Sequence, residues 1–178
     1  VMDLTRKVAA NLCQDERILL HGQALPNVGM LDAALAAMEH TAASYPVAAW
    51  KTFTHFPDAF EGDGNGWWLD DRDPNVAQVG ERFIRTAKEI GTDTICIHKG
   101  LSLGSPFASP DDIGPAARRH RDMNFVAYHS GFEATVPEVP YTRATRNMGP
   151  NRLIWSMERE GIGPNENVYA EMGTSWWF

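Results

Sequence analysis

The chain has 178 residues, 43% apolar and 22% charged, the profile of one globular domain with room for a sizeable core rather than of a disordered segment. Its 16 lysines and arginines against 23 aspartates and glutamates leave a net charge of −7, which disfavours nucleic acid and anionic membranes as partners. No apolar run approaches the ~20 residues of a membrane helix, and Val1-Met2-Asp3-Leu4 carries no signal-peptide pattern.

Arg17 to Gly22 is a short apolar run that predicts a first strand, closed by His21-Gly22. Met30 to Ala43 is rich in Ala and Leu at helical spacing, with Asp32 in its first turn, and predicts a helix. Val47 to Thr54 reads as the next strand, and a Gly/Asp/Trp-rich loop follows from Phe56 to Asp73. Asn75 to Ile90 is amphipathic and stops at Gly91. Thr94 to His98 is a strand leading into a Gly/Ser/Pro loop over 100–110.

Ser109-Pro110-Asp111-Asp112 predicts a helix start, with serine at the cap and proline at the first helical position; the helix runs to about Arg121. The basic run Arg118-Arg119-His120-Arg121 at its end complements the helix dipole rather than gripping phosphate. Asn124 to His129 is a fourth strand, Asn151 to Glu160 a helix, and Asn167 to Gly173 a fifth strand. Strands alternating with helices predict βαβ units and a parallel sheet in a single domain over 1–178.

Ligands gather at the carboxyl ends of parallel strands. His98 and His129 end two successive strands, so they are expected to share one mouth of the sheet as metal ligand, proton carrier or both; the alternative is a hydrogen-bonded structural role for each. Lys51 lies inside an apolar strand, either as an active-site lysine (neutral, paired or carboxylated) or reaching outward past a helix. His55, at the start of the long loop, and His21 and Glu171, at strand ends, are further candidates for the same mouth. Trp67 and Trp68 form either an aromatic wall over a substrate or a packing contact on the neighbouring helix.

The two cysteines, Cys13 and Cys96, do not make a disulfide framework, which points to a reducing, cytoplasmic setting, and Cys96 in its apolar strand reads as a buried thiol. No Gly-rich phosphate loop, His-Glu-x-x-His, Cys-x-x-Cys or Gly-x-Ser-x-Gly occurs.

The motifs Ile97-His98-Lys99-Gly100-Leu101, Asp112 to Ala117, Asn124 to Gly131 and Asn167 to Gly173 resemble the amidohydrolase superfamily, in its "amidohydrolase 2" branch of aminocarboxymuconate semialdehyde decarboxylase-like enzymes. The resemblance covers about Arg17 to the carboxyl terminus. It implies a (β/α)8 TIM barrel of which this chain holds about strands 3 to 7, as an interior piece of a longer frame. It further implies a divalent metal, commonly zinc, with His98 as the strand 5 ligand and His129 as the strand 6 histidine that polarises metal-bound water or holds a second metal. Lys51 falls where binuclear members carry a bridging group. The family's His-x-His pair and final aspartate have no counterpart here.

By that resemblance the parent is a metal-dependent hydrolase or decarboxylase acting on a small carboxylate, lactone or amide. His129, Lys51 and Glu171 would be catalytic, with His21, His55, Trp67 and Trp68 around the substrate. The chain by itself is expected to bind metal weakly or not at all, and its open sheet edges to invite self-association. The rival expectations are a complete flavodoxin-like α/β enzyme working without metal, and a non-catalytic binding domain derived from a barrel.

Overall fold

The computed structural model describes residues 1–12, 17–56, 65–71 and 78–173. It begins with a helix that no sequence motif announced, α1 (Met2–Asn11), and continues β1 (Leu20–Gln23), α2 (Leu31–Ser44), β2 (Val47–Phe53), α3 (Val79–Glu89) and β3 (Thr94–His98). Two short 3-10 turns, Pro106–Ala108 and Pro110–Asp112, lead into α4 (Ile113–Arg119). β4 (Asn124–Tyr128), α5 (Asn151–Arg159) and β5 (Val168–Glu171) complete the order.

All five strands are parallel, in the spatial order β1-β2-β3-β4-β5. Each βαβ crossover therefore advances by one strand in the same sense, as in an α/β barrel, and the sheet is not closed among the described residues. A flavodoxin-like sheet reverses its winding at a switch point, order 2-1-3-4-5; the consecutive order corrects that rival expectation.

One-way winding puts α2 to α5 on one side. There the sheet contributes Trp50, Ile95, Ile97, Phe125, Ala127 and Val168 to a core shared with Leu35 and Met38 of α2, Phe83 and Ile84 of α3, Ile113 of α4 and Leu153 of α5. Side chains alternate along a strand, so the residues between these point the other way. Register aligns them into rows: Gln23, Lys51, Cys96, Val126 and Tyr169 in one, and Phe53, His98, Tyr128 and Glu171 in the next toward the carboxyl ends. No helix among the described elements packs on this face.

Ser109 precedes the Pro110 turn as expected, but its hydroxyl donates to Asp111 Oδ2 at 2.7 Å and makes no cap hydrogen bond. A 3-10 turn then bends the chain into α4, because Asp112 is drawn inward by a buried lysine. The basic run ends α4, with Arg118 and Arg119 in its last turn, while His120 reaches Glu81 at 3.0 Å and Arg121 pairs with Glu166. No helix among the described residues is long and apolar enough to cross a membrane.

Candidate functional site

Three imidazoles lie in a row at the carboxyl end of the sheet. His98, the last residue of β3, stands in the middle, with ring centroids 4.3 Å from His55 and 4.5 Å from His129. Phe53, beside it in the register, adds a ring at 5.2 Å. His55 is buried, and the Nε2 of His98 is enclosed without a hydrogen-bond partner among the described residues.

The loops that follow β3 and β4 are zipped together, which fixes His98 against His129. The Lys99 N–H donates to Tyr128 O at 3.0 Å, Gly131 N–H to Lys99 O at 2.7 Å and Leu101 N–H to Phe132 O at 2.7 Å. The parallel ladder thus runs on past both strand ends. His129, Ser130 and Gly131 all have left-handed backbone, with φ of 64°, 53° and 82°. Two consecutive non-glycine residues there are costly, and such conformations persist where surrounding structure holds them, often at functional sites. Here the Ser130 hydroxyl donates to Glu171 O at 2.8 Å, and Phe132 N–H donates to His129 O at 2.7 Å. The Glu171 carboxylate in turn faces the His129 N–H at 3.4 Å.

Burial disfavours the charged forms of His98 and His129. It is the main cause that pushes His98 down to about 3, helped by the neighbouring His55, His129 and Lys51. His129 is lowered too, by burial and then Lys51, against an opposing pull from Glu171. A base as weak as His98 accepts no proton near neutrality, so its open nitrogen is suited to donating a lone pair, and His129 is the better proton carrier of the two.

Lys51 belongs to this helix-free face and does not reach past a helix. Its Nζ lies 3.6 Å from the centre of the Tyr128 ring and 4.8 Å from that of Phe53, with no hydrogen-bond partner among the described residues. Burial pushes it down to about 8, opposed by Cys96 and Glu171. Tyr128 hydrogen-bonds the Cys96 thiol, and burial first, then the Cys96 and Glu171 charges, push the phenol up to about 12. Cys96 is free and buried; Cys13 lies outside the described residues.

Other candidates fall elsewhere. β1 runs two residues past His21, which pairs in register with Ala49, is exposed, and stands two rows below His98. Trp67 is buried in the helix-side core, edge-on to Phe83 at 5.8 Å. Trp68 packs on Phe107, at 5.0 Å, in the loop after β3. Of the two alternatives for the tryptophans, Trp67 takes the packing contact.

Three residues take positions that the sequence reading did not assign them, although Cys96 is the buried thiol it expected. Tyr128 and Cys96 join the site only through register, although period-two alternation places Tyr128 on the face of Val126 and Lys51 on that of Phe53. Lys99, next to His98 in the motif, turns away into a fully buried ion pair with Asp112.

His98 and His129 suit a divalent metal as two neutral nitrogen donors, and the open Nε2 of His98 is the observation that favours one. Among the described residues no group of three His, Cys, Asp or Glu is arranged to hold an ion, so the fit extends to a pair of ligands and not to a complete shell. A groove of about 530 Å³ between α1 and the amino-terminal ends of β1 and β2, lined by Asp3, Arg6, Ile18, Leu20 and Pro46, lies at the opposite end of the sheet. Comparison of the chain with family models, with curated proteins and with solved structures finds no match.

Proposed function

We propose that this chain carries the histidine half of the active site of a metal-dependent hydrolase or decarboxylase of amidohydrolase type, acting on a small carboxylate, lactone or amide in the cytoplasm. The single observation behind the reading is His98: an imidazole at a strand's carboxyl end, held neutral by burial, its ring between two further imidazoles and its Nε2 without a hydrogen-bond partner among the described residues. The one-way parallel order agrees with a barrel segment. The remaining metal ligands would arrive on strands pairing with the open edges of β1 and β5.

His98 and His129 would hold the metal, zinc by donor type. The chemistry supplied on binding is Lewis acidity, which activates water near neutral pH and polarises a substrate carbonyl or carboxylate. His98 keeps its lone pair available because burial denies it a proton. As the alternative to that ligand role, a His129 left off the metal takes or gives a proton at a ring nitrogen, and Glu171 beside it favours the charged imidazolium during that transfer. Phe53 and Tyr128 wall the face and lower its polarity.

Zinc titration of the chain, followed on the histidine ring resonances, tests the reading. The expected result is weak binding that perturbs His98 and His129 together and is abolished by His98→Asn. Perturbation confined to the exposed His21 and His40 would sink it.

A further inference from the structure

Lys51 is a chemically reactive group on the helix-free face that the metal reading leaves without a task. Its amine is enclosed between two aromatic rings, Tyr128 at 3.6 Å and Phe53 at 4.8 Å, and it has neither a hydrogen bond nor an ion pair among the described residues. The lysine as a whole is only half-buried, on β2, in a face that no described helix covers. We infer that Lys51 is a carbonyl-trapping nucleophile, forming an imine with a small aldehyde or keto acid that enters this face.

Amines serve this way when an apolar site withholds the solvation that would keep them protonated. The groups facing Lys51 come from three strands: Cys96 and His98 on β3, Tyr128 with His129 just beyond it on β4, and Glu171 on β5. Cys96 and Glu171 favour the ammonium, burial opposes it, and the balance leaves the amine at about 8. At neutral pH about a tenth of such a group is free base. An ordinary lysine has less than a thousandth, a difference on the order of a hundredfold.

The step balances without an oxidant or reductant. The nitrogen lone pair forms the C–N bond as the carbonyl π pair moves to oxygen, and one amine proton transfers to that oxygen. The carbinolamine then loses its hydroxyl together with the second amine proton as water, leaving the imine. The ammonium first releases its proton to solvent, which the lowered value of the amine favours.

The chain offers four lysines, Lys7, Lys51, Lys88 and Lys99, which makes the test selective. Lys7 and Lys88 are exposed, and Lys99 is locked in its ion pair. The folded 178-residue chain is incubated with glyoxylate and cyanoborohydride near neutral pH, with a chelator present. Reduced adducts are then mapped by peptide mass spectrometry over time.

The expected result is carboxymethylation at Lys51 at least about tenfold faster than at Lys7 or Lys88, a preference that disappears in urea. Labelling of Lys51 no faster than of the two exposed lysines overturns the proposal, as does a preference that survives unfolding. Lys51→Arg, checked for retained circular dichroism, removes the fast adduct and leaves the slow ones. Because the chelator removes metals, this outcome is independent of the zinc titration, and either reading can fail alone.

Discussion

Lys99 and Asp112 form an ion pair from which water is wholly excluded. Nζ lies 2.8 Å from Oδ2, and neither side chain has any exposed surface. The same lysine donates to Phe107 O at 2.8 Å, Asp112 Oδ2 also accepts the Leu69 N–H at 2.8 Å, and the Thr54 hydroxyl donates to Phe107 O at 2.7 Å. One buried charge pair thereby ties the ends of β2 and β3 to the Trp67–Leu69 segment and the start of α4. Breaking a buried pair strands a charge, whereas replacing both partners with apolar groups is often tolerated. Lys99→Met or Asp112→Leu alone should therefore cost about 3–5 kcal/mol in urea unfolding, and the double variant clearly less than their sum.

Gly100 and Gly91 give a matched contrast. Gly100 has φ +120°, and a Cβ there would sit 2.7 Å from Phe132 O and 2.8 Å from Phe132 N, both backbone atoms that cannot turn aside. Gly91 has φ +83° with nothing within 4 Å. Gly91→Ala should cost about 1 kcal/mol from backbone conformation alone, and Gly100→Ala about 2–4 kcal/mol with a shifted His98–His129 contact. Equal losses in denaturant midpoints would contradict the zipped loops.

Acid should unfold the protein partly through His98. Its folded value is depressed to about 3 from 6.5, so between those values the unfolded chain binds the proton and the folded chain does not. The stabilisation is complete above about pH 6.5 and is lost as pH falls toward 3, with a limiting slope near 1.4 kcal/mol per pH unit for one proton. Urea unfolding at a series of pH values should show this slope, and His98→Gln should reduce it by one proton's worth. A wild-type curve unchanged by the substitution would refute it.

Glu171→Gln should act on two named neighbours. Glu171 favours the charged forms of Lys51 and His129, so removing its charge should lower both values further. It is not among the groups that shift His98. Titration of the histidine resonances should therefore move His129 downward and leave His98 in place.

His98 and His129 were legible in the sequence because each closes an apolar strand pattern before a glycine-containing loop, and parallel strands must deliver such ends to the same side. The strand and helix order was legible for the same reason: period and punctuation are local. What joins residues across strands is not local. Tyr128 meets Lys51 across β3, which no spacing within either strand reveals. His55 reaches the imidazole row from beyond its strand, and His21 misses it because β1 runs on to Gln23, two residues past His21 and one past its apolar pattern. Lys99 looked like part of the motif, yet its partner 13 residues away claims it. α1 carried no cap or stop signal to announce it.

The hydrogen bonds from Lys99 to Tyr128, Gly131 to Lys99 and Leu101 to Phe132 divide the chain into stretches of fixed and free length. Between 98 and 101, and between 128 and 132, an inserted or deleted residue would slip the ladder by one and turn an imidazole to the wrong side. The segment over 133–148 is held by side chains, Glu133 to the Ser102 N–H and Arg152, and Asn151 Nδ2 to Val139 O and Thr145 O, rather than by a strand ladder. A change of length is therefore expected to be tolerated better in that segment than in either histidine turn, whose spacing the ladder holds to the residue.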